Sequence, residues 1–70
     1  MNKEIKRNYE LLKMLDDHKT NLTELSEILD MAYNTVLSKV SGRTEWTAAE
    51  IKKIKEHFNL SADQVIYIFL

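Results

Sequence analysis

The stretch from Asn21 to Gly42, "NLTELSEILDMAYNTVLSKVSG", contains two short amphipathic patterns separated by a tight connection. In its first half, apolar residues recur at steps of three and four, the spacing that places side chains on one buried face of a helix. These residues are Leu22, Leu25, Ile28 and Leu29. In its second half, Val36 and Val40 lie four positions apart and form a narrower apolar stripe. The spacing predicts two helices within residues 22–41, joined by a turn.

Helix starts along the chain are marked by a recurring pair of residues. A polar residue with a short side chain is followed three positions later by Glu or Gln, which is the pattern of a capping box. The pairs are Asn21 with Glu24, Thr47 with Glu50, and Ser61 with Gln64. The single glycine, Gly42, can adopt a positive φ without a steric penalty, so it predicts the end of the second helix of the opening stretch.

Five short helices are predicted in all. The first runs from about Lys3 to Leu15, because apolar residues recur there at three- and four-residue steps. The predicted buried residues of this helix are Ile5, Tyr9, Leu12 and Leu15. The remaining helices begin after Asn21, at about Ala32, after Thr47 and after Ser61.

The composition restricts the class of protein. The chain has 70 residues, no proline, one glycine and 44% hydrophobic residues, which predicts a single all-α domain over residues 1–70. There is no cysteine and the two histidines are isolated, so neither a metal site nor a cofactor is expected. No pairing of nucleophile and base and no glycine-rich phosphate loop is found, so we predict no catalytic residue and no small-molecule substrate. The charged start and the absence of a long apolar run indicate a cytoplasmic protein that does not enter a membrane.

Charge is distributed unevenly along the chain. The formal net charge is −1, so the chain as a whole lacks the basic excess of a typical nucleic-acid-binding domain. Between Tyr33 and Lys55, however, five basic residues outnumber two acidic ones. This segment is locally positive, as a surface that meets DNA requires.

The predicted helix over residues 32–41 carries hydrogen-bonding groups on the side opposite its apolar stripe. At about 100° per residue, Asn34 and Ser38 fall on that side. Asparagine suits a bidentate pair with adenine, and serine pairs with several base edges, so these residues are predicted to read bases. Lys39 and Arg43 follow in the C-terminal half, where they are predicted to meet DNA phosphates. The alternative is an ordinary solvated helix face, which is common in small bundles.

Two short helices joined by a tight turn, the second polar on its outer side, describe a helix-turn-helix. The opening stretch resembles the helix-turn-helix of the lambda-repressor and Cro-like family, often called the XRE family. Within it, "LSEIL" matches the family's leucine, small residue, two variable residues and apolar residue, and "YNTVLSKVSG" matches a recognition helix that closes on glycine. The sequence behind it resembles the short Cro-like regulators of bacteriophages, and the likeness covers about residues 5–69.

The resemblance implies a lambda-repressor-like helix-turn-helix bundle whose recognition helix enters the major groove of double-stranded operator DNA. The family's base-contacting positions fall on Tyr33, Asn34 and Ser38. Its phosphate-contacting positions fall on Asn21, Thr35 and Arg43.

Three positions depart from the family pattern. Asp30 stands where the family usually has a glycine in the turn, so it is expected to sit near positive φ, and it puts an anion beside the DNA face. Leu22 replaces a glutamine that binds phosphate, and Ala32 replaces a serine or threonine cap. Each change weakens DNA affinity more than it threatens the fold.

Apolar residues outside the opening stretch have other predicted roles. Trp46 precedes the Thr47 cap and is predicted to plug the core rather than to stack on bases. The last six residues, "VIYIFL", cannot all face one small core, so part of them is predicted to form a contact surface. The candidates for this surface are Ile66, Ile68, Phe69 and Leu70.

These observations leave more than one function open. The leading hypothesis is a phage or prophage transcriptional regulator of the Cro-like kind, which acts in a bacterial host and binds its operator as a homodimer through the C-terminal end. The rival is an antirepressor that docks on a partner repressor protein and blocks its operator contacts, which the acidic balance, Asp30 and the apolar tail favour. A helical interaction domain without a role in transcription is the remaining reading.

Overall fold

The computed structural model describes residues 8–70, and within that range the chain forms five α-helices and no strand. The helices are α1 (Tyr9–Asp17), α2 (Leu22–Leu29), α3 (Tyr33–Val40), α4 (Ala48–Phe58) and α5 (Ala62–Phe69). The prediction of an all-α bundle of five short helices is confirmed.

One hydrophobic core lies between the helices. Its buried members come from α1 to α4 and from the loop before α5. They are Leu11, Met14, Leu15, Leu25, Leu29, Val36, Val40, Ile54 and Leu60. Helix α2 packs against α3 and α4, while α5 closes the bundle against α1 and α4. Burial of each such side chain stabilises the fold by about 1.5–3 kcal/mol, so the two valines anchor α3 in the core, while Asn34 and Thr35 stay exposed.

Four helices end in the same backbone motif, although the chain has a single glycine. After each helix, one residue adopts positive φ, and its N–H and the next N–H donate to carbonyls of the last turn, which is the Schellman arrangement. The residues at positive φ are Lys19 (56°), Asp30 (57°), Gly42 (86°) and Asn59 (55°). The expectations for Asp30 and Gly42 are confirmed.

Four helices begin with a side-chain cap. The side chains of Asn8, Asn21, Thr47 and Ser61 each accept a hydrogen bond from the N–H three residues on. The full capping boxes predicted at Thr47 and Ser61 are confirmed. At Asn21 the box is only half formed, because the Glu24 carboxylate accepts a hydrogen bond from the Thr20 hydroxyl instead of the backbone N–H of Asn21.

Helix α1 differs most from its prediction. Its described part begins at Tyr9, behind the Asn8 cap, and it ends two residues later than Leu15. The predicted start at Lys3 and the buried role of Ile5 lie outside the described residues. The prediction that Tyr9 is buried is wrong, because this residue is 69% exposed. The buried face is instead the set Leu11, Met14 and Leu15, whose three- and four-residue spacing brings three apolar side chains into the core.

Candidate nucleic-acid interface

The two faces of α3 differ sharply in burial. Val36 and Val40 are 0% and 2% exposed, so this face is fully committed to the core. Asn34 is exposed, and Ser38, four residues on and therefore on the same side, is half-buried. Tyr33, at the N-terminus of α3, is 45% exposed. Tyr33 and Asn34 thus lie in the first turn of α3, and Ser38 lies on the side of Asn34 in the C-terminal half of the same helix.

The N-terminus of α3 lacks the cap that the other four described helices have. Ala32 is the N-cap residue and makes no side-chain hydrogen bond, as the sequence indicated. Its carbonyl accepts from the N–H groups of Thr35 and Val36 at 3.0 and 3.1 Å. The N–H groups of Tyr33 and Asn34 receive no side-chain cap, and such amides at a helix start favour anions.

Both ends of α3 are fixed by the backbone. The turn before it is set by Asp30 in the left-handed conformation, with φ 57° and ψ 47°. After it, the N–H of Gly42 donates to Lys39 at 3.1 Å and the N–H of Arg43 donates to Ser38 at 2.9 Å. Because of this tight exit, the exposed Arg43 lies within one turn of the end of α3.

The residues predicted to contact phosphate differ in their exposure and in the hydrogen bonds they already make. Thr35 and Arg43 are exposed. The side-chain oxygen of Asn21 is used to cap α2, where it accepts from the N–H of Glu24 at 2.9 Å. Within the side chain of Asn21, the NH₂ group is then left as a donor to a phosphate.

Lys39 has intramolecular partners. Its ammonium lies 3.1 Å from the carboxylate of Glu50 and donates to the carbonyl of Glu45 at 2.9 Å. Its side chain is 10% exposed. Sequence spacing placed Lys39 on the correct helix but gave no sign that Glu50, eleven residues away, is its partner.

The C-terminal surface is partly built into the bundle. Ile66 and Leu70 are 53% and 94% exposed, whereas Ile68 and Phe69 are half-buried against the core. Two exposed aromatic residues that sequence reasoning missed, Tyr9 and Tyr67, are each 69% exposed. Tyr67 stands between Ile66 and Ile68, which were both predicted to be surface residues. This position in the run "VIYIF" was the signal that could have indicated its exposure.

Trp46 packs against the core, in agreement with its predicted role. Its ring meets Phe69 edge to face, with centroids 5.9 Å apart. The indole N–H is the one buried side-chain polar group that has no hydrogen-bond partner within residues 8–70.

In the part of the chain that the structure describes, no group of three or more His, Asp or Glu side chains is arranged to hold a metal ion. None of the five described helices has the length and apolar character needed to cross a bilayer.

The fold, with its short α2, tight turn and polar-faced α3, defines a small helix-turn-helix bundle. The family model described as "BetR domain" matches residues 7–68, and the chain belongs to this family. BetR domains are small helical domains of the helix-turn-helix type that are associated with regulators, and the family is not a catalytic one. In general terms the chain is therefore a DNA-binding regulator domain. No curated protein and no solved structure matches it.

Proposed function

We propose that this protein is a sequence-specific transcriptional regulator of the phage or prophage Cro-like type, with α3 as the recognition helix in the major groove of an operator half-site. With side chains, an α-helix is about 10–12 Å wide, and the major groove of B-DNA is about 12 Å wide. A bacterial cytoplasm is the location this role implies, because operator DNA is found there.

One observation carries the proposal. Helix α3 buries only a narrow stripe, Val36 and Val40, and leaves Tyr33, Asn34 and Thr35 exposed beside an uncapped N-terminus. In this arrangement Tyr33, Asn34 and Ser38 read base edges, and the Asn34 amide is suited to a bidentate pair with adenine.

Phosphate contacts complete the interface in this proposal. Asn21 and Thr35 contribute neutral donors, and Arg43 contributes a cation at the C-terminal end of α3. Lys39 was also predicted to bind phosphate, but it carries the least weight here because its ammonium is already paired with Glu50. With a net charge of −1, the protein gains little from long-range attraction to DNA, so its affinity is expected to be modest and dependent on salt.

A second copy of the chain is part of the proposal. One helix-turn-helix reads about one half-site, and dimers of this motif read two half-sites about 34–36 Å apart. The exposed Ile66, Tyr67 and Leu70 offer an apolar surface for such a dimer, together with Ile68 and Phe69 at its base.

Selection of binding sites from a random pool of duplex DNA tests the proposal. We expect enrichment of an inverted repeat whose half-sites are about 10–10.5 base pairs apart, centre to centre. Enrichment of a single half-site would retain DNA recognition but reject the dimer. If no sequence is enriched at low salt, the proposed function is wrong.

A second candidate function is supported by specific observations. The exposed carboxylate of Asp30 lies in the turn just before α3, where it repels phosphate, and the apolar C-terminal surface is suited to binding protein. As an antirepressor, the chain docks on a partner repressor protein and keeps it from its operator. Gel shifts of the partner repressor on its operator, with and without this protein, separate the two functions. Release of the repressor without a new protein–DNA band supports the antirepressor, and a new band of its own supports the regulator.

A further inference from the structure

Lys39 links α3 to the segment that follows it. Its ammonium contacts the carboxylate of Glu50 at 3.1 Å and the carbonyl of Glu45 at 2.9 Å. The same ammonium lies 5.9 Å from the centroid of the Trp46 ring, within reach of a cation–π interaction. All three partners belong to the α3–α4 loop or the first turn of α4. One side chain of α3 therefore contacts three residues of the segment that follows it.

Glu50 serves both helices with one oxygen. Its Oε1 accepts a hydrogen bond from the Thr47 N–H at 2.9 Å, which completes the capping box of α4. The same oxygen lies 3.1 Å from the ammonium of Lys39. Burial acts to raise the pKa of Glu50, but the Thr47 backbone N–H and the Lys39 ammonium hold that pKa below its ordinary value of 4.5. The carboxylate is therefore ionised at neutral pH, and the start of α4 is electrostatically tied to Lys39.

This link adds a polar restraint to the apolar contacts of the core. The principal helix neighbour of α3 among the described residues is α2. Val36 and Val40 share the core with Ile54 of α4, and Lys39 adds polar contacts between the last turn of α3 and the start of α4. The loop that Lys39 holds through the Glu45 carbonyl also contains Arg43, whose N–H bonds to Ser38.

The same contacts disfavour a direct role of Lys39 at a phosphate. With its side chain 10% exposed, Lys39 must leave Glu50, the Glu45 carbonyl and the Trp46 ring before it reaches a DNA strand. Its charge is also offset by Glu50 next to it. The positive charge available to DNA from this region then comes from Arg43 and from lysines of α4.

We propose that Lys39 is a positioning residue for the recognition helix: with Glu50 it clamps α3 and the Arg43 loop onto the start of α4, and it does not bind phosphate itself. The inference rests on the proposed DNA-binding function and refines its list of contacts. The clamp holds Asn34 and Ser38 in the orientation that reads bases.

Three variants of the full chain test the clamp: Lys39→Met, Glu50→Gln and the double variant. Each is assayed on the selected operator and on random DNA, at a temperature where circular dichroism shows it fully folded. We expect the ratio of operator to random-DNA affinity to fall about tenfold in each single variant and no further in the double variant, as for two residues that act as one unit. The salt dependence of operator binding should stay unchanged in Lys39→Met, because no phosphate contact is lost.

A phosphate-binding Lys39 gives the opposite results. Lys39→Met then flattens the salt dependence by about one unit of slope, and Glu50→Gln strengthens binding to all DNA because it frees the lysine. Either outcome overturns the clamp. Lys13→Met is the matched control, since this exposed lysine of α1 carries the same charge, has no ion pair within the described residues and lies outside the proposed DNA surface, so it should leave the affinity ratio unchanged.

Failure of the proposed function is distinguishable from failure of the clamp. If the wild-type chain prefers no DNA sequence, the operator proposal fails, and the clamp is judged by urea unfolding and by emission of the single tryptophan, Trp46. Non-additive loss of stability in the Lys39 and Glu50 variants, with altered Trp46 emission, supports the link. Additive losses with unchanged emission contradict it.

Discussion

Trp46 and Phe69 meet edge to face, with ring centroids 5.9 Å apart and an interplanar angle of 78°. The contact joins α5 to the segment before α4, and both rings are half-buried against the core. Phe69 thus stabilises the fold and also belongs to the proposed partner surface. We expect Phe69→Ala to lower the free energy of unfolding by about 2 kcal/mol, roughly half of the loss at a fully buried aromatic site, and to change Trp46 emission in urea titrations.

Leu70→Ala is the matched control for this prediction. Leu70 is 94% exposed, so its truncation should change the free energy of unfolding by less than about 0.5 kcal/mol. If α5 forms the dimer surface, Leu70→Ala should still weaken self-association in sedimentation experiments. Equal destabilisation by the two variants would contradict the different roles assigned to Phe69 and Leu70.

Ala32→Ser should stabilise the fold. Ala32 already has the extended conformation of an N-cap, with φ −65° and ψ 145°, but it lacks a side-chain acceptor. A serine hydroxyl can accept an amide of the first turn of α3, which is expected to add about 1 kcal/mol and to raise the Tm by about 4–8 °C in a chain of this size. Ala48→Ser, next to the existing Thr47 cap, should show no such gain in thermal melting.

Lys19→Gly should also stabilise the protein. Lys19 has φ 56°, a conformation that costs a residue with a Cβ about 1–2 kcal/mol and that glycine adopts freely. We expect a gain of up to about 1 kcal/mol in urea unfolding, because the greater flexibility of glycine in the unfolded chain offsets part of the relief. The control is Lys13→Gly, inside α1, which should lose about 1 kcal/mol. A loss of stability in both variants would refute the strain at Lys19.

The free energy of unfolding should depend on pH through Glu50. The pKa of Glu50 in the folded state lies below its ordinary value of 4.5, held there against burial by the Thr47 N–H and by Lys39. The carboxylate therefore contributes stability that is fully present above pH 4.5 and is lost as the pH falls through the lowered pKa. The difference in unfolding free energy between wild type and Glu50→Gln should shrink over that range in urea titrations. Glu27→Gln, at an exposed residue of α2, serves as the control, and the same trend there would contradict an effect specific to Glu50.

Local patterns in the sequence were sufficient to predict where helices begin and how α3 begins to pack and ends. The capping boxes at Thr47 and Ser61, the positive φ of Gly42 and the two-valine stripe of α3 all depend on residues within four positions of each other. Such short-range hydrogen bonds and side-chain spacings are encoded locally, so spacing alone predicts them.

Features that depend on tertiary contacts were not predictable in this way. Several faces of α1 were apolar enough to be buried, and the choice of Leu11 and Met14 over Tyr9 depends on the helices packed against them. The left-handed conformations of Lys19 and Asn59 have no glycine to mark them. The pairing of Lys39 with Glu50 requires the path of the α3–α4 loop, which spacing does not give.

The central claim is that α3 reads bases through Asn34, and operator binding by Asn34→Ala tests it most directly. Fluorescence anisotropy with the selected operator and with random DNA, each at several salt concentrations, should show a loss of about 1–3 kcal/mol on the operator and little change on random DNA. Arg43→Ala, measured in parallel, should weaken both DNAs about equally and reduce the salt slope by about one. Equal weakening of operator and random DNA by Asn34→Ala, or no weakening of either, would contradict base reading by this helix.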